Sequence, residues 1–136
     1  MRKGVKVLDK GTIINIVFIA LVVWFAYTRF KPAKGLRNLN AQDFQTEMAV
    51  PGKPMVIDVR EPSEYKSGFI AGAKNIPLSQ LRGRLSEIPK DQPVLLYCRS
   101  GMRSKSAAKV LLKNGHRELS HLQGGLSAWN GKLARK

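Results

Sequence analysis

Cysteine is almost absent from this chain, with one, Cys98, in 136 residues. That excludes an intrachain disulfide and a cysteine-built zinc site, and it leaves a reactive Cys98 without a resolving thiol in the same chain. Histidine is nearly as scarce. His116 and His121 lack the paired spacing of metal ligands, so both are read as structural or surface residues, and neither a metal nor a cofactor is expected. No internal repeat or low-complexity tract interrupts the sequence. Acidic side chains are few as well, 9 against 24 Lys and Arg, for a net charge of +15. Such an excess points to an acidic partner, either nucleic acid or anionic lipid.

The position of the charge decides between those partners. Residues 1–37 hold 8 basic side chains and 1 acidic one, gathered around the uncharged stretch "TIINIVFIALVVWFAY" at 12–27. As a helix it would reach roughly 25 Å, the short end of a membrane span. Trp24, Phe25, Tyr27 and Phe30 collect at its carboxyl end as an interfacial aromatic group would, between Arg2, Lys3, Lys6 and Lys10 before it and Arg29, Lys31, Lys34 and Arg37 after it. A cleaved signal peptide would want a shorter apolar core and an A-x-A-like site, and none lies between Trp24 and Arg37. A buried core helix is rarely apolar on all faces between two cationic clusters. The expectation is a single uncleaved anchor whose basic flanks meet lipid head groups, with no nucleic-acid partner. The expected organisation is a basic flank at 1–11, a transmembrane anchor helix at 12–28, a basic linker at 29–37 that Pro32 and Gly35 keep from being helical, and one folded domain at 38–136.

Beyond the linker, 43% hydrophobic and 24% charged overall is an ordinary globular mixture. Asn40 suits the N-cap of a first helix in "LNAQDFQTEMAV". "PMVIDV" at 54–59 and "PVLLYC" at 93–98 are short, β-branched apolar runs fit for buried strands, with a third short strand expected at 73–76 and a last one at 119–122. Leu78, Leu81, Leu85 and Ile88 suggest one helix over 78–88. Residues 104–114 read as another, with Ala107, Ala108, Leu111 and Leu112 inward, Lys105, Lys109 and Lys113 outward as a solvated face, and Gly115 closing it. Trp129 is expected to pack under the last helix. Strands alternating with helices predict an α/β domain with a central parallel sheet flanked by helices.

In such a fold ligands sit beyond the carboxyl ends of strands, where "VLLYCRSGMRSKS" places its cysteine. The six residues 98–103 bridge a strand end and a helix start, so their N–H groups can turn inward as an anion cradle, with the helix dipole behind them. Gly101 allows the tight curl. With Arg99 and Arg103 adding positive potential, the surroundings favour a thiolate at Cys98.

At these residues the sequence resembles the rhodanese family of sulfurtransferases, over about 38–129. "CRSGMRS" is similar to the active loop of single-domain rhodaneses. "DVREPSEYKSGFIAGAKNIP" at 58–77 resembles the family stretch D-V-R-E, E-[FY], G-H-I-x-G-A-x-N-I-P, with Phe69 where histidine is common, and "LQGGLSAW" at 122–129 resembles the closing L-x-G-G-x-x-x-W. The resemblance implies a rhodanese-like fold. It implies that Cys98 is the nucleophile that takes sulfur from a donor such as thiosulfate, as a persulfide, and passes it to a thiol, cyanide or protein acceptor. It also implies that the loop residues Arg99, Ser100, Gly101, Met102, Arg103 and Ser104 hold the sulfur and the anionic donor. Asp58 and Arg60, at the end of the other main strand, are expected to support the structure, by bonding loop backbone or by pairing with Glu61 or Glu64.

Two other classes compete. A cysteine phosphatase or arsenate reductase on the same scaffold spaces cysteine and arginine by five residues, whereas four separate Cys98 from Arg103. A membrane-tethered binding module without chemistry would usually lack the cysteine. Basic residues flank the anchor equally, so the positive-inside rule does not orient it. An unpaired reactive thiol and the basic start at 29–37 favour a cytoplasmic catalytic domain.

Overall fold

A computed structural model describes residues 4, 6–30, 35–52 and 54–136 of the chain, which divides into two units, Met1–Pro32 and Ala33–Lys136. The interruption assigned to Pro32 and the charges of Arg2, Lys3, Lys31 and Lys34 lie outside the described residues.

The first unit is the helix α1, Lys10–Phe30, with 21 residues. Its start is set by Asp9, whose carboxylate accepts the Thr12 N–H at 2.8 Å. The apolar stretch carries no residue able to break it, so the helix runs beyond both ends of that stretch. Among the described residues one helix is long and apolar enough to cross a membrane, Lys10–Thr28, with a mean hydropathy of 2.0. Its isoleucines and valines are exposed, as are the aromatic side chains of Phe18, Trp24, Phe25 and Tyr27.

In the second unit, β1 (Leu36–Leu39), α2 (Ala41–Met48), β2 (Met55–Asp58), α3 (Pro62–Ser67), β3 (Phe69–Ile70), β4 (Lys74–Asn75), β5 (Val94–Tyr97), α4 (Met102–Lys113), β6 (Leu119–Leu122) and β7 (Leu133–Ala134) follow in order. Five strands form one parallel sheet in the order β1-β6-β5-β2-β4, with β5 at its centre. All four residues of β5 are buried, because both faces of the sheet are covered. Val94 and Leu96 point to the face packed by Ala107, Ala108 and Leu111 of α4. Leu95 and Tyr97 point to the other face, where Phe44 of α2 packs. Phe44 meets the rings of Tyr97 and Trp129 edge-on, at 6.4 and 6.1 Å. Trp129 therefore belongs to the α2 face, on the side of the sheet opposite the last helix, α4. Asn40 caps α2 as expected, its side chain accepting the Asp43 N–H at 2.8 Å.

Two further local expectations change, and one element is new. Residues 78–88 form two 3-10 turns, Leu78–Gly83 and Leu85–Glu87, in place of one α-helix. Gly83 weakens a continuous helix, and Pro89 holds Ile88 in an extended conformation that ends the segment. Leu81 and Ile88 are nevertheless buried and Leu78 and Leu85 pack beside them, so the apolar spacing found the core without naming the element. Leu36 and Arg37, counted above with the linker, pair with Leu119 and Ser120 as the start of β1. Finally, β3 and β7 make a separate two-stranded antiparallel ladder that ties Leu133 and Ala134 to Ile70 and Phe69. Phe69 is buried there and stacks on Tyr65 with ring centroids 4.2 Å apart, so it packs where a histidine would have offered a polar edge.

Candidate active site

Cys98 stands one residue past the end of β5, at the carboxyl edge of the sheet, and is fully buried. The chain turns at Gly101, φ 98°, which caps the start of α4. A Cβ at that point would meet Gly124 N and the His121 ring in ordinary van der Waals contact, at 3.4 and 3.7 Å, so it is the positive φ that calls for glycine. The turn brings the Gly101 N–H onto Cys98 Sγ at 3.0 Å, while the thiol lies 3.7 Å from Ser104 Oγ. The first-turn N–H groups of α4, from Met102 to Ser104, have no earlier turn to donate to and add the positive end of the helix.

A second loop fixes which way the first one faces. After β6 the chain passes Gly124 and Gly125 into a 3-10 turn, Gly125–Ala128. From it the Leu126 N–H donates to Cys98 O at 3.0 Å, the Ser127 N–H to Arg99 O at 3.1 Å, and the Ser127 hydroxyl to Arg99 O at 3.1 Å. With these carbonyls drawn to the 3-10 turn, the peptide N–H groups of the cysteine loop are free to face the sulfur. Gly125, φ 58°, lies so close that a Cβ would strike both Cys98 O and Arg99 O.

The charged residues divide differently from expectation. Arg99 and Ser100 are exposed at the loop, and Met102 is 62% exposed beside them. Arg103 instead forms a two-armed ion pair with Glu64 of α3, at 2.7 and 2.9 Å. Its charge is thereby balanced inside the protein rather than offered to an incoming anion. That pair holds the Glu64 carboxyl down at about 2, and Glu64, with a smaller contribution from Cys98, raises Arg103. Arg60 does not pair with Glu61 or Glu64. It grips Asp58 through Nε and Nη2, the shortest contact 2.6 Å, and donates to Gly68 O at 2.7 Å. Asp58 also accepts the Arg60 N–H, so the buried pair ties the end of β2 to the α3–β3 junction. Arg60 lies 5.8 Å over the Tyr97 ring, and burial pushes the Tyr97 hydroxyl well above its usual range.

Neither histidine is at the surface. His116 bridges the carbonyls of Leu111 and Ile88 at 3.2 and 3.0 Å, joining α4 to the second 3-10 turn of 78–88. His121 on β6 reaches Ser104 Oγ at 2.9 Å and Asn38 Oδ1 at 2.6 Å, and burial followed by the Lys105 charge pushes it down to about 4. Among the described residues no group of three or more His, Cys, Asp or Glu could hold a metal ion. The structure thus brings Cys98, Gly101, Ser104 and His121 together, with Arg103 and Glu64 as a flanking pair. The sequence offers Glu64 only as a partner of Asp58 or Arg60 and His121 only as a structural or surface residue, because the partners they take lie 39 and 17 residues away. The doubled glycine at 124–125 was the visible sign of the second loop.

Comparison with known proteins places this geometry in context. A family model described as rhodanese-like domain matches residues 37–132. The uncharacterized protein YqhL of Bacillus subtilis is 40% identical over 124 residues, covering 91% of this chain and 96% of that protein. A sulfurtransferase of Allochromatium vinosum is 34% identical over 94 residues, covering 69% of this chain and 88% of that one. The crystal structure of a rhodanese-related protein from Thermoplasma volcanium superposes with a TM-score of 0.66 at 30% identity, covering 74% of this chain and 99% of that one.

Two outcomes are expected from this geometry. Gly125→Ala should destabilise the protein by more than the ~1–3 kcal/mol of left-handed strain alone, because it displaces the carbonyl clamp. Gly72→Ala, at φ 87° with nothing within 4 Å, should cost only that strain. Equal losses in urea unfolding would show the clamp to be dispensable. The second outcome concerns acid. His121 has a folded pKa of about 4 against 6.5, so the unfolded chain takes up protons first. Stability should decline as pH falls from about 6.5 toward 4, and that part of the decline should vanish in His121→Gln. Glu64 adds a later loss between 4.5 and about 2.

Proposed function

Because the chain belongs to the rhodanese-like domain family, we propose that it is a sulfurtransferase, with Cys98 carrying the sulfur as a persulfide. The observation that carries this reading is the Gly101 N–H held 3.0 Å from Cys98 Sγ inside a loop whose carbonyls are drawn away. The Cys98 thiolate attacks the outer sulfur of a donor such as thiosulfate. The S–S bond of the donor breaks, sulfite leaves with that electron pair, and a Cys98–S–S⁻ persulfide remains. The amides of the loop from Arg99 to Ser104 stabilise the terminal sulfur, and exposed Arg99 draws the anionic donor in. A thiophilic acceptor, whether a thiol, cyanide or a protein, then takes the terminal sulfur and leaves the thiolate. Names among the similar proteins support this class of chemistry, including the sulfurtransferase of Allochromatium vinosum and a putative sulfur carrier protein of Bacillus subtilis at 28% identity. The ion pair of Arg103 with Glu64 counts against a phosphatase or arsenate reductase, which would need that arginine on its oxyanion.

The proposed organisation is a basic flank at 1–11, a membrane anchor at 12–28, a basic linker at 29–37 and the catalytic domain at 38–136, its first strand beginning within the linker at Leu36. Exposed apolar side chains along Lys10–Thr28 support the anchor, since water would penalise them and hydrocarbon would not. A persulfide turns over against reduced thiols, so the catalytic domain faces the cytoplasm.

Treating the full chain with thiosulfate should add one sulfur atom to Cys98, seen by mass spectrometry and removed by cyanide, and Cys98→Ser should abolish it. Thiocyanate production persisting at the original rate in that variant would sink the assignment. In intact cells a membrane-impermeant thiol reagent should leave Cys98 unlabelled until the membrane is permeabilised. Labelling before then would put the domain outside.

A further inference from the structure

One buried group beside Cys98 takes no part in the sulfur chemistry above. Both ring nitrogens of His121 are engaged, Nδ1 with Ser104 Oγ at 2.9 Å and Nε2 with Asn38 Oδ1 at 2.6 Å. Ser104 Oγ lies 3.7 Å from Cys98 Sγ and 3.1 Å from Gly101 O. Sulfur, serine, imidazole and the amide of the edge strand therefore form one chain, buried from Cys98 through Ser104 to His121 and exposed at Asn38. Its polarity follows from its ends. Asn38 Oδ1 only accepts, so Nε2 carries the proton, and a neutral ring then leaves Nδ1 as an acceptor that competes with Gly101 O for the single Ser104 hydroxyl proton and, at the shorter distance, takes it. That choice frees a lone pair of Ser104 Oγ to receive the Cys98 S–H.

The surroundings keep the ring neutral at rest. Lys105, one residue beyond Ser104 on α4, bears on it with positive charge, β1 contributes the uncharged amide of Asn38, and Cys98 is the titratable group offered from the β5 side. His121 thus waits as an empty base, its proton affinity reduced by burial to about 4. An anionic sulfur at the far end of the chain supplies the attraction that the free ring lacks.

We propose that Ser104, His121 and Asn38 position Cys98 and relay its proton. As the thiol ionises, its proton passes to Ser104 Oγ while the original hydroxyl proton passes to His121 Nδ1. Sγ then bears the negative charge, with the Ser104 O–H donating to it, and His121 becomes an imidazolium whose Nε2–H remains on Asn38. No proton is gained or lost by the chain. When the acceptor removes the terminal sulfur, the same path run backwards returns the proton to Cys98. The relay rests on the reading of Cys98 as the reacting thiol, and it assigns Ser104 and His121 as positioning residues.

The full chain in detergent micelles supplies a direct test. Its one cysteine makes thiolate absorbance in the ultraviolet, read below the pH at which its tyrosines ionise, a titration of Cys98. Ser104→Ala and His121→Gln should each raise the midpoint by about one pH unit, a tenfold loss of thiolate below it. The double variant should shift no further than either single one, and Ser104→Thr should stay near the native midpoint. An unmoved midpoint in folded His121→Gln, or additive shifts in the double variant, would overturn the relay. Nitrogen NMR of the unaltered protein serves if a variant does not fold. The neutral ring should be protonated at Nε2, and its Nδ1 resonance should move at the thiolate midpoint. A ring protonated at Nδ1, or one indifferent to Cys98, refutes the proposal. Thiolate titration uses no sulfur donor, so a chain that titrates as expected but accepts no sulfur refutes the sulfurtransferase reading alone.

Discussion

Two hydrogen bonds to carbonyl oxygens set up everything around the cysteine. A peptide unit points its N–H and its C=O in opposite directions, so orienting one orients the other. The Leu126 and Ser127 N–H groups hold Cys98 O and Arg99 O, and the cysteine loop is left presenting donors inward. This arrangement costs the loop no charged residue and no bound ion. It does demand that the two loops touch backbone to backbone, a contact that only glycine at 125 permits. The cradle is thus a property of two chain segments 28 residues apart in sequence. The sheet brings them together by placing β6 directly beside β5.

The charged groups around the cradle are arranged for order more than for display. Asp58 and Arg60 satisfy each other in a setting where either alone would be an uncompensated buried charge, at a cost of about 3–5 kcal/mol. Their second task is to fasten Gly68 O, and with it the start of the small β3–β7 ladder. Arg103 and Glu64 repeat the scheme nearer the surface, joining the first turn of α4 to α3. Each helix or turn that meets the cysteine loop is therefore tied to another element by a named polar contact, and the apolar core beneath Ile57, Leu96 and Leu111 does the rest.

How much of this was legible in the sequence depended on range. The strands at Met55–Asp58 and Val94–Tyr97, the helix after Gly101 and the cap at Asn40 all rest on residues within a few positions of one another, and local pattern found them. Leucines at helical spacing over 78–88 fit two tight 3-10 turns nearly as well as one α-helix, and Gly83 and Pro89 decide the matter. β1, β3 and β7 are short strands whose identity lies in a distant partner, Leu119–Leu122 for the first and one another for the last two. The candidate site divides the same way. Cys98 and its loop are marked by local pattern, whereas the pairing of Glu64 with Arg103 and of His121 with Ser104 appears only when the fold closes the sequence distance.

The strand that follows the linker is also the edge of the sheet. β1 is held to β6 by parallel pairing of Leu36, Arg37, Asn38 and Leu39 with Leu119, Ser120, His121 and Leu122. A pull on the chain upstream of Leu36, directed along β1, loads those rungs together in shear instead of peeling them one after another, the geometry in which a short ladder is mechanically strongest. The third rung carries Asn38 against His121. Tension on the chain upstream of Leu36 would therefore bear, along with the rest of the ladder, on a residue two hydrogen bonds from the neighbour of the cysteine.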